Sequence, residues 1–412
     1  MAAAAVLVMA VIVPSGRAQA QVGAAERLLE QVRWLSDEAR AGRLPGETGH
    51  DQVRDHLIDA FHALRLQTSG ADGDYAQPLT VPLGQRRTAV AANVIGVLAG
   101  RSSQLKDEIV VVSAHYDHLG LGEHSRLAAD RGSVHPGADD NASGVAVLLG
   151  VAAALADTAL PRTVVFAAFT GEEQGAVGSR FYVADAQGAI PGRIVANINL
   201  DMVGRLNGKP VQVLSTATSP DWPLVIEAAS RDSEVPARAL AGGGGGSDQQ
   251  SFIARSIPAV QVFTGGHDDY HRPSDTVDRI DAEGLAAIER FVVALTRELA
   301  ARDETLRPGV FEQAAPPSDP GSPRRSSFGV MPDFNHVGPG VRIEAITSPD
   351  VPAAHAGLHP GDIIMTIAGR SVMDLRDYAQ ILRELTPDNP VSVCLTRGNQ
   401  TLEVTLSPKR TE

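Results

Sequence analysis

Residues 137–173 read GADDNASGVAVLLGVAAALADTALPRTVVFAAFTGEE. An acidic turn opens the stretch, a run apolar on every side follows, and a short apolar segment ends in paired glutamates. A helix apolar all round has no face for solvent and belongs inside a protein. A strand apolar at consecutive positions is covered on both faces, as in a parallel sheet. The stretch therefore reads as turn, buried helix and buried strand, with acidic residues at the joints.

Working outward, the same alternation continues on both sides. Upstream, residues 91–100 (AANVIGVLAG) and 108–117 (EIVVVSAHYD) read as strands. Downstream, residues 179–187 read as a helix, 194–201 (IVANINLD) and 211–216 (VQVLST) as strands, and 223–232 as a helix. Residues 259–265 (AVQVFTG) make a further strand, and 281–303 an amphipathic closing helix. Two helices precede the unit, residues 24–40 and 51–67, the second with Val53, Leu57, Ile58, Phe61 and Leu64 on one stripe. A breaker-rich loop, RLPGETG at residues 43–49, separates them. This pattern predicts an α/β fold, a mostly parallel sheet sandwiched by helices.

Ligands of such sheets bind beyond the carboxyl ends of the strands. That is where the acidic and imidazole residues fall: His115 and Asp117 after VVVSA, Asp140 in the GADDNASG turn, Glu172 and Glu173 after VVFAAFTG, Asp201 after IVANINL, and His271 in DDYHRPSD. Zinc takes imidazole nitrogen and carboxylate oxygen, and a catalytic site keeps a position open for water. Two imidazoles and three carboxylates suit a pair of divalent ions, and a carboxylate can bridge them. Asp140 is the expected bridge; Asp139, facing another way, is not. Asp117 points to the same side as His115 and is expected to hold its other ring nitrogen. One of the two glutamates is then left to take a proton from a metal-bound water. His118, His124, His135 and His267 are read as loop residues. Residues 121–135 and the glycine patch at 242–246 are expected to rim the cleft, the patch as a mobile loop.

At these residues the chain resembles the M28 family of co-catalytic zinc aminopeptidases. The matching segments are ANVIGVLAG, AHYDHLG, GADDNASGVA, FTGEEQGAVGS, NINLDMVGR and IPAVQVFTGGHDDYHRPSDT. The resemblance implies two Zn2+ ions, with other divalent metals possible. It implies His115 and Asp201 on one ion, Glu173 and His271 on the other, Asp140 as bridge and Glu172 as general base. Tyr270, just before the last histidine, matches a position whose hydroxyl stabilises the oxyanion in some members. Peptides with a free N-terminus are the implied substrates. One departure stands out: many relatives read SDHxxF where this chain has SDQQSF, with Gln249 for the histidine, which bears on the substrate pocket.

Beyond the Pro/Ser-rich residues 305–327, read as a linker, short strands and one helix starting at Asp374 resemble a PDZ domain of the permuted bacterial type. FGVMPDF stands where the carboxylate-binding loop lies, so Phe328, Gly329 and Val330 are the implied nest for a peptide or protein C-terminus. The expected division is a signal peptide at 1–20, the peptidase unit at 21–304, the linker, and the PDZ module at 328–410.

Composition bounds the rest. The chain has 412 residues, 43% hydrophobic, enough for two cored domains. A net charge of -13 opposes nucleic-acid binding. The single cysteine, Cys394, permits no internal disulfide. The N-terminal run AAAAVLVMAVIVP is too short to span a bilayer comfortably and precedes an A-x-A pattern at Ala18 and Ala20. No Lys or Arg precedes the run, unlike an ordinary signal peptide. Export to the periplasm or medium is expected, with no stable membrane span. Two rival readings share these residues: a carboxypeptidase or dipeptidase of the same fold, and a PDZ peptide-binding scaffold carrying an inactive hydrolase domain.

Overall fold

A computed structural model of the protein describes residues 16–69, 73–84, 86–123, 128–189, 192–242, 247–309, 326–332, 339–373, 375–398 and 400–410. Part of the expected leader (1–15), His124, residues 243–246, most of the linker (310–325), the end of FGVMPDF and Asp374 lie outside the described residues.

The first unit starts with helices α1 (Gly16–Leu35) and α2 (Thr48–Ala63). A nine-stranded sheet follows, made of β1 (Gln67–Thr68), β2 (Ala76–Gly84), β3 (Arg87–Leu98), β4 (Glu108–His115), β5 (Thr163–Phe169), β6 (Arg193–Leu200), β7 (Val211–Leu214), β8 (Ala237–Ala239) and β9 (Ala259–Phe263). The helices between and after the strands are α3 (Gly144–Leu155), α4 (Val177–Ala189), α5 (Trp222–Ser233), α6 (Gln249–Ile253) and α7 (Ala282–Ala301). Strand order is β1-β3-β5-β4-β6-β9-β7-β8, with β2 also on β3. The central block β5-β4-β6-β9 is parallel; β3 joins it antiparallel on one side and β7 on the other.

Side chains alternate across the sheet, so both faces need cover. Val110, Val112 and Ala114 of β4 join the larger core beneath α1, α3, α5 and α7, whereas Ile109 and Val111 face Tyr182 of α4 and Phe252 of α6. Helix α3 accordingly buries ten of its twelve residues. Among the described residues, only the helical stretch Ala138–Leu155 has the length and hydropathy to cross a membrane, and 89% of it is buried inside the protein. Asp281 caps α7 by accepting from the Gly284 amide at 2.9 Å, which fixes the start expected from sequence.

Strand β2, not among the strands expected from sequence, carries Pro78 and Pro82. Proline lacks a ladder donor and is tolerated at sheet edges. Here both residues pair with β3 alone, Pro78 opposite Ala92 and Pro82 opposite Thr88. The first residues of the expected linker also pack: Leu306 is buried, Arg307 clasps Asp221 through Nε at 2.9 Å, and the Gly309 amide donates to the Thr218 carbonyl.

Register places the site. His115 lies opposite Phe169 in the β4–β5 pair, Ala114 opposite Leu200 in β4–β6, and Leu200 opposite Val262 in β6–β9. The carboxyl ends of the four parallel strands are therefore level, and the loops leaving them start from one edge.

The second unit has its own core, including Phe328, Val341, Ile364, Tyr378, Val393 and Leu395. Its strands are β10 (Ser326–Ser327), β11 (Val330–Pro332), β12 (Val341–Ile346), β13 (Ile363–Ile367), β14 (Arg370–Ser371), β15 (Val391–Arg397), β16 (Gln400–Leu406) and β17 (Lys409–Arg410). Helices α8 (Pro352–His355) and α9 (Leu375–Glu384) complete it. Strand β11 is the edge of the order β11-β12-β13-β15-β16. Gly329 turns the chain at φ +74°, and a Cβ there would meet the Val351 side chain at 2.3 Å, so glycine is required.

Candidate metal centre

The five residues expected to share a pocket do so. His115 Nε2 lies 3.3 Å from Asp140 Oδ1 and 3.6 Å from Asp201 Oδ1. His271 Nε2 lies 3.1 Å from Asp140 Oδ2 and 3.1 Å from Glu173 Oε2. Asp140 thus gives one oxygen to each of two imidazole–carboxylate triads. Donors held around zinc at about 2.0–2.1 Å in a tetrahedron stand about 3.3–3.4 Å apart. The four measured separations fall around that edge, so the donor set fits such a cation. His115, Asp140 and Asp201 are buried, and His271 is partly exposed.

Electrostatics bind the cluster together. Burial opposes charge on His115, but Glu172, Asp140 and Asp201 outweigh it and push the imidazole well above its ordinary value. His271 is likewise raised to about 10 against its burial, by Glu173 and Asp140. The answering carboxylates go the other way despite burial. Hydrogen bonds from His115 and His271 hold Asp140 well below the usual range, and His271, with help from His118, lowers Glu173 to about 2. Glu172 differs: burial, then the charges of Glu173, Asp248 and Asp201, raise its carboxyl well above the ordinary value, with His115 opposing.

The glutamate loop owes its position to Asp117, whose two oxygens accept from the amides of Glu172 at 3.1 Å and Glu173 at 3.3 Å. The expected grip of Asp117 on His115 takes another form. The ring Nδ1 lies 3.3 Å from the Asp117 backbone carbonyl, while the carboxylate oxygen stands 3.8 Å away. Each carboxylate oxygen faces a glutamate amide instead.

Three further expectations are corrected. His118 is not a loop bystander: it is buried, and its Nδ1 lies 2.7 Å from Glu173 Oε1. Donor atoms of His118, Asp140 and Glu173 also lie within 4.8 Å of one another, close enough to face one cation, but the 2.7 Å His118–Glu173 separation is that of a hydrogen bond, so His118 here holds Glu173 in place. His267 also has a partner, Asp139 Oδ2 at 3.0 Å. Asp139 faces away from the ligands, as expected, toward the Gly204 amide and the Ser143 hydroxyl. Gln249 does not line a pocket surface; fully buried, it accepts from Asn199 and donates to Gln261 at 3.0 Å, tying α6 to β6 and β9.

Tyr270 stacks on His271 with ring centroids 3.8 Å apart. Burial, then the charges of Asp140 and Glu173, raises its hydroxyl well above the usual value, so it stays a proton-bearing donor. In the second unit, Phe328 is buried, the Gly329 amide donates to Ser327 Oγ at 3.1 Å, and Val330 pairs with Ile346.

The residue sequence reading missed most completely is Arg43, inside the loop read only as breaker-rich. It is buried and donates to the carbonyls of Leu35, Tyr116, Pro136 and Gly137, gripping the entry to the Asp139–Asp140 turn. Burial lowers its pKa to about 10, with Asp140 and Asp117 opposing. Each buried carbonyl that loses its donor costs about 1–3 kcal/mol. Arg43→Met is expected to cost at least about 3 kcal/mol in denaturant unfolding; a loss below about 1 kcal/mol, as for a surface change, contradicts this role.

The fold is that of a zinc-exopeptidase-like α/β domain. Residues 93–296 match the model of peptidase family M28 and residues 328–407 that of the PDZ domain, and the chain carries one domain of each family. It is 27% identical over 300 residues to Leucine aminopeptidase 2 of Trichophyton rubrum, covering 64% of this chain and 59% of that protein. With Aminopeptidase YwaD of Bacillus subtilis it shares 27% over 234 residues, 55% of this chain and 48% of the other. The chain spans about half the length of the curated relatives it matches. Among solved structures it resembles BSAP, a zinc aminopeptidase from Bacillus subtilis, with TM-score 0.53 and 19% identity over 68% of this chain and 95% of that one. It also resembles a glutaminyl cyclase of Bacteroides thetaiotaomicron, with TM-score 0.55 and 20% identity over 66% and 96%. At these identities the likeness is one of fold.

Proposed function

We propose that the first domain is an aminopeptidase using two zinc ions, with His115 and Asp201 holding one, Glu173 and His271 the other, and Asp140 both. What carries this reading is the division of the two Asp140 oxygens between two imidazole–carboxylate triads. When bound, such paired ions polarise a carbonyl and make water a nucleophile near neutral pH. The chain's own residues do the rest. Glu172 takes the proton from the attacking water and returns it to the leaving amine. Tyr270, kept protonated beside His271, donates to the oxyanion. Asp117 fixes the backbone that carries both glutamates.

The proposed substrate preference rests on a small apolar cluster of buried side chains beside the ligands, separate from the main core: Met202, Leu214 and Phe263, with Leu240 and Tyr270 packed against it. Met202 adjoins Asp201 and Tyr270 adjoins His271, so an apolar N-terminal side chain is the natural guest. The relatives named leucine aminopeptidases agree with that choice. For the second domain we propose that an extended peptide C-terminus adds along edge strand β11, with the Phe328–Val330 turn receiving its carboxylate.

Leucine p-nitroanilide hydrolysis tests the first reading. Turnover is expected that a chelator abolishes, zinc restores and N-acetylation of the substrate blocks. Cleavage of N-blocked peptides from the other end would identify a carboxypeptidase, and peptide binding with no turnover would identify a scaffold.

A further inference from the structure

The two triads are not equally supported. His115 ends β4 and Asp201 follows β6, both inside the sheet's parallel block. His271 instead sits in the long connection after β9 with a backbone φ of +58°, a region costly for any residue but glycine. Such a conformation persists only where the surroundings impose it.

Arg205 supplies the imposition. Its Nη1 lies 2.6 Å from Asp269 Oδ2 and its Nη2 2.7 Å from Asp275 Oδ1, one carboxylate on each side of Tyr270–His271. Asp275 then reaches the bridging turn: its Oδ2 accepts from the amides of Asp139 at 2.9 Å and Asp140 at 3.0 Å. Arg205 Nε also faces Asp139 Oδ2 at 3.8 Å, the oxygen that His267 contacts. The arginine's own backbone is anchored, because its amide donates to Thr264 Oγ1, which donates to the Met202 carbonyl at 2.8 Å. Asp275 and Asp139 are buried and the Arg205 side chain is 12% exposed, so solvent screens these pairs little.

We propose that Arg205 is a positioning residue for the metal centre: by spanning Asp269 and Asp275 it locks the loop bearing His271 against the turn bearing Asp140, and so sets the affinity of the second ion position. Only a planar fork reaches two carboxylates on opposite sides of one loop; a lysine ammonium carries the charge without that geometry. The inference rests on the two-ion reading above. Arg205 does not touch the reacting atoms. Asp275 keeps its bonds to the Asp139 and Asp140 amides without the arginine, so loss of Arg205 frees chiefly the Asp269 side of the loop and weakens the His271–Glu173 position more than the His115–Asp201 position.

The test is zinc titration of the metal-free full-length chain by calorimetry, with metal content after dialysis, for wild type, Arg205→Lys, Arg205→Met and Asp269→Asn. Wild type is expected to take up two ions. The variants are expected to keep the tighter step and to weaken the other by about 10-fold, the low end of the effect of removing a ligand's own supporting partner, because Arg205 and Asp269 reach His271 only through the backbone. Asp269→Asn cuts one arm only and stands in should the arginine variants not fold. A role in general stability alone would weaken both steps together or lower the melting temperature with both steps unchanged, and either result overturns the inference. A wild-type chain that binds two ions beside variants that match it overturns this inference alone. A wild-type chain that binds no zinc overturns the functional reading, and this inference with it.

Discussion

Replacing Glu172 with glutamine is expected to leave zinc uptake at the wild-type level and to lower turnover by about 10²- to 10⁴-fold, the usual contribution of a positioned general base. The substitution keeps size and backbone contacts, since the Glu172 amide still donates to Asp117 Oδ1. It removes only the ability to take a proton. Glu172 stands apart from its neighbour in this respect. Glu173, facing His271 and His118, is held ionised, while burial and surrounding carboxylates raise Glu172 toward binding a proton. On the proposed reading, what each one faces splits the two adjacent glutamates into a ligand and a base. Metal content by atomic absorption and steady-state rates on leucine p-nitroanilide check both halves. Glu172→Gln protein with near-normal kcat would assign the proton transfer to another group.

Asp140→Ala is expected to empty both ion positions and reduce hydrolysis to background. Among the described residues, Asp140 is the one whose oxygens reach both imidazoles, Oδ1 toward His115 and Oδ2 toward His271. Without it each triad keeps one imidazole and one carboxylate, too few to close a zinc site. The lone imidazoles also lose the carboxylate that offsets their charge. By contrast, Asp201→Ala removes a ligand from one triad only, so one ion is expected to stay. Measured zinc per chain separates the cases: an Asp140→Ala protein holding one ion tightly after dialysis would show that Asp140 is no bridge.

The parts legible in the chain are those with a local cause. The continuous apolar runs VVVSA and VVFAAF, the all-round apolar α3 and the breakers between them lie within single elements, so the layered fold and its site edge follow from short windows of sequence. His115 and Asp201 were legible for the same reason, since one ends β4 and the other follows β6, while Asp140, Glu173 and His271 were read from the loops that leave the same edge. Strand β2 was not legible, because its prolines speak against a strand until an edge position is known. His118 looked like any loop histidine, since nothing near it in sequence announces Glu173, 55 residues away.

Sequence by itself therefore determined which elements form, which faces are apolar and which acids and imidazoles stand at strand ends. Tertiary structure alone decided how those groups are aimed: Asp117 on the glutamate amides, Arg43 on the carbonyls before the acidic turn, and Asp275 on the amides of that turn from 135 residues away. Hydrophobic periodicity is a short-range property, repeated every few residues and readable in a window. A buried polar group must find its partner wherever folding brings one, and that choice is made in space rather than along the chain.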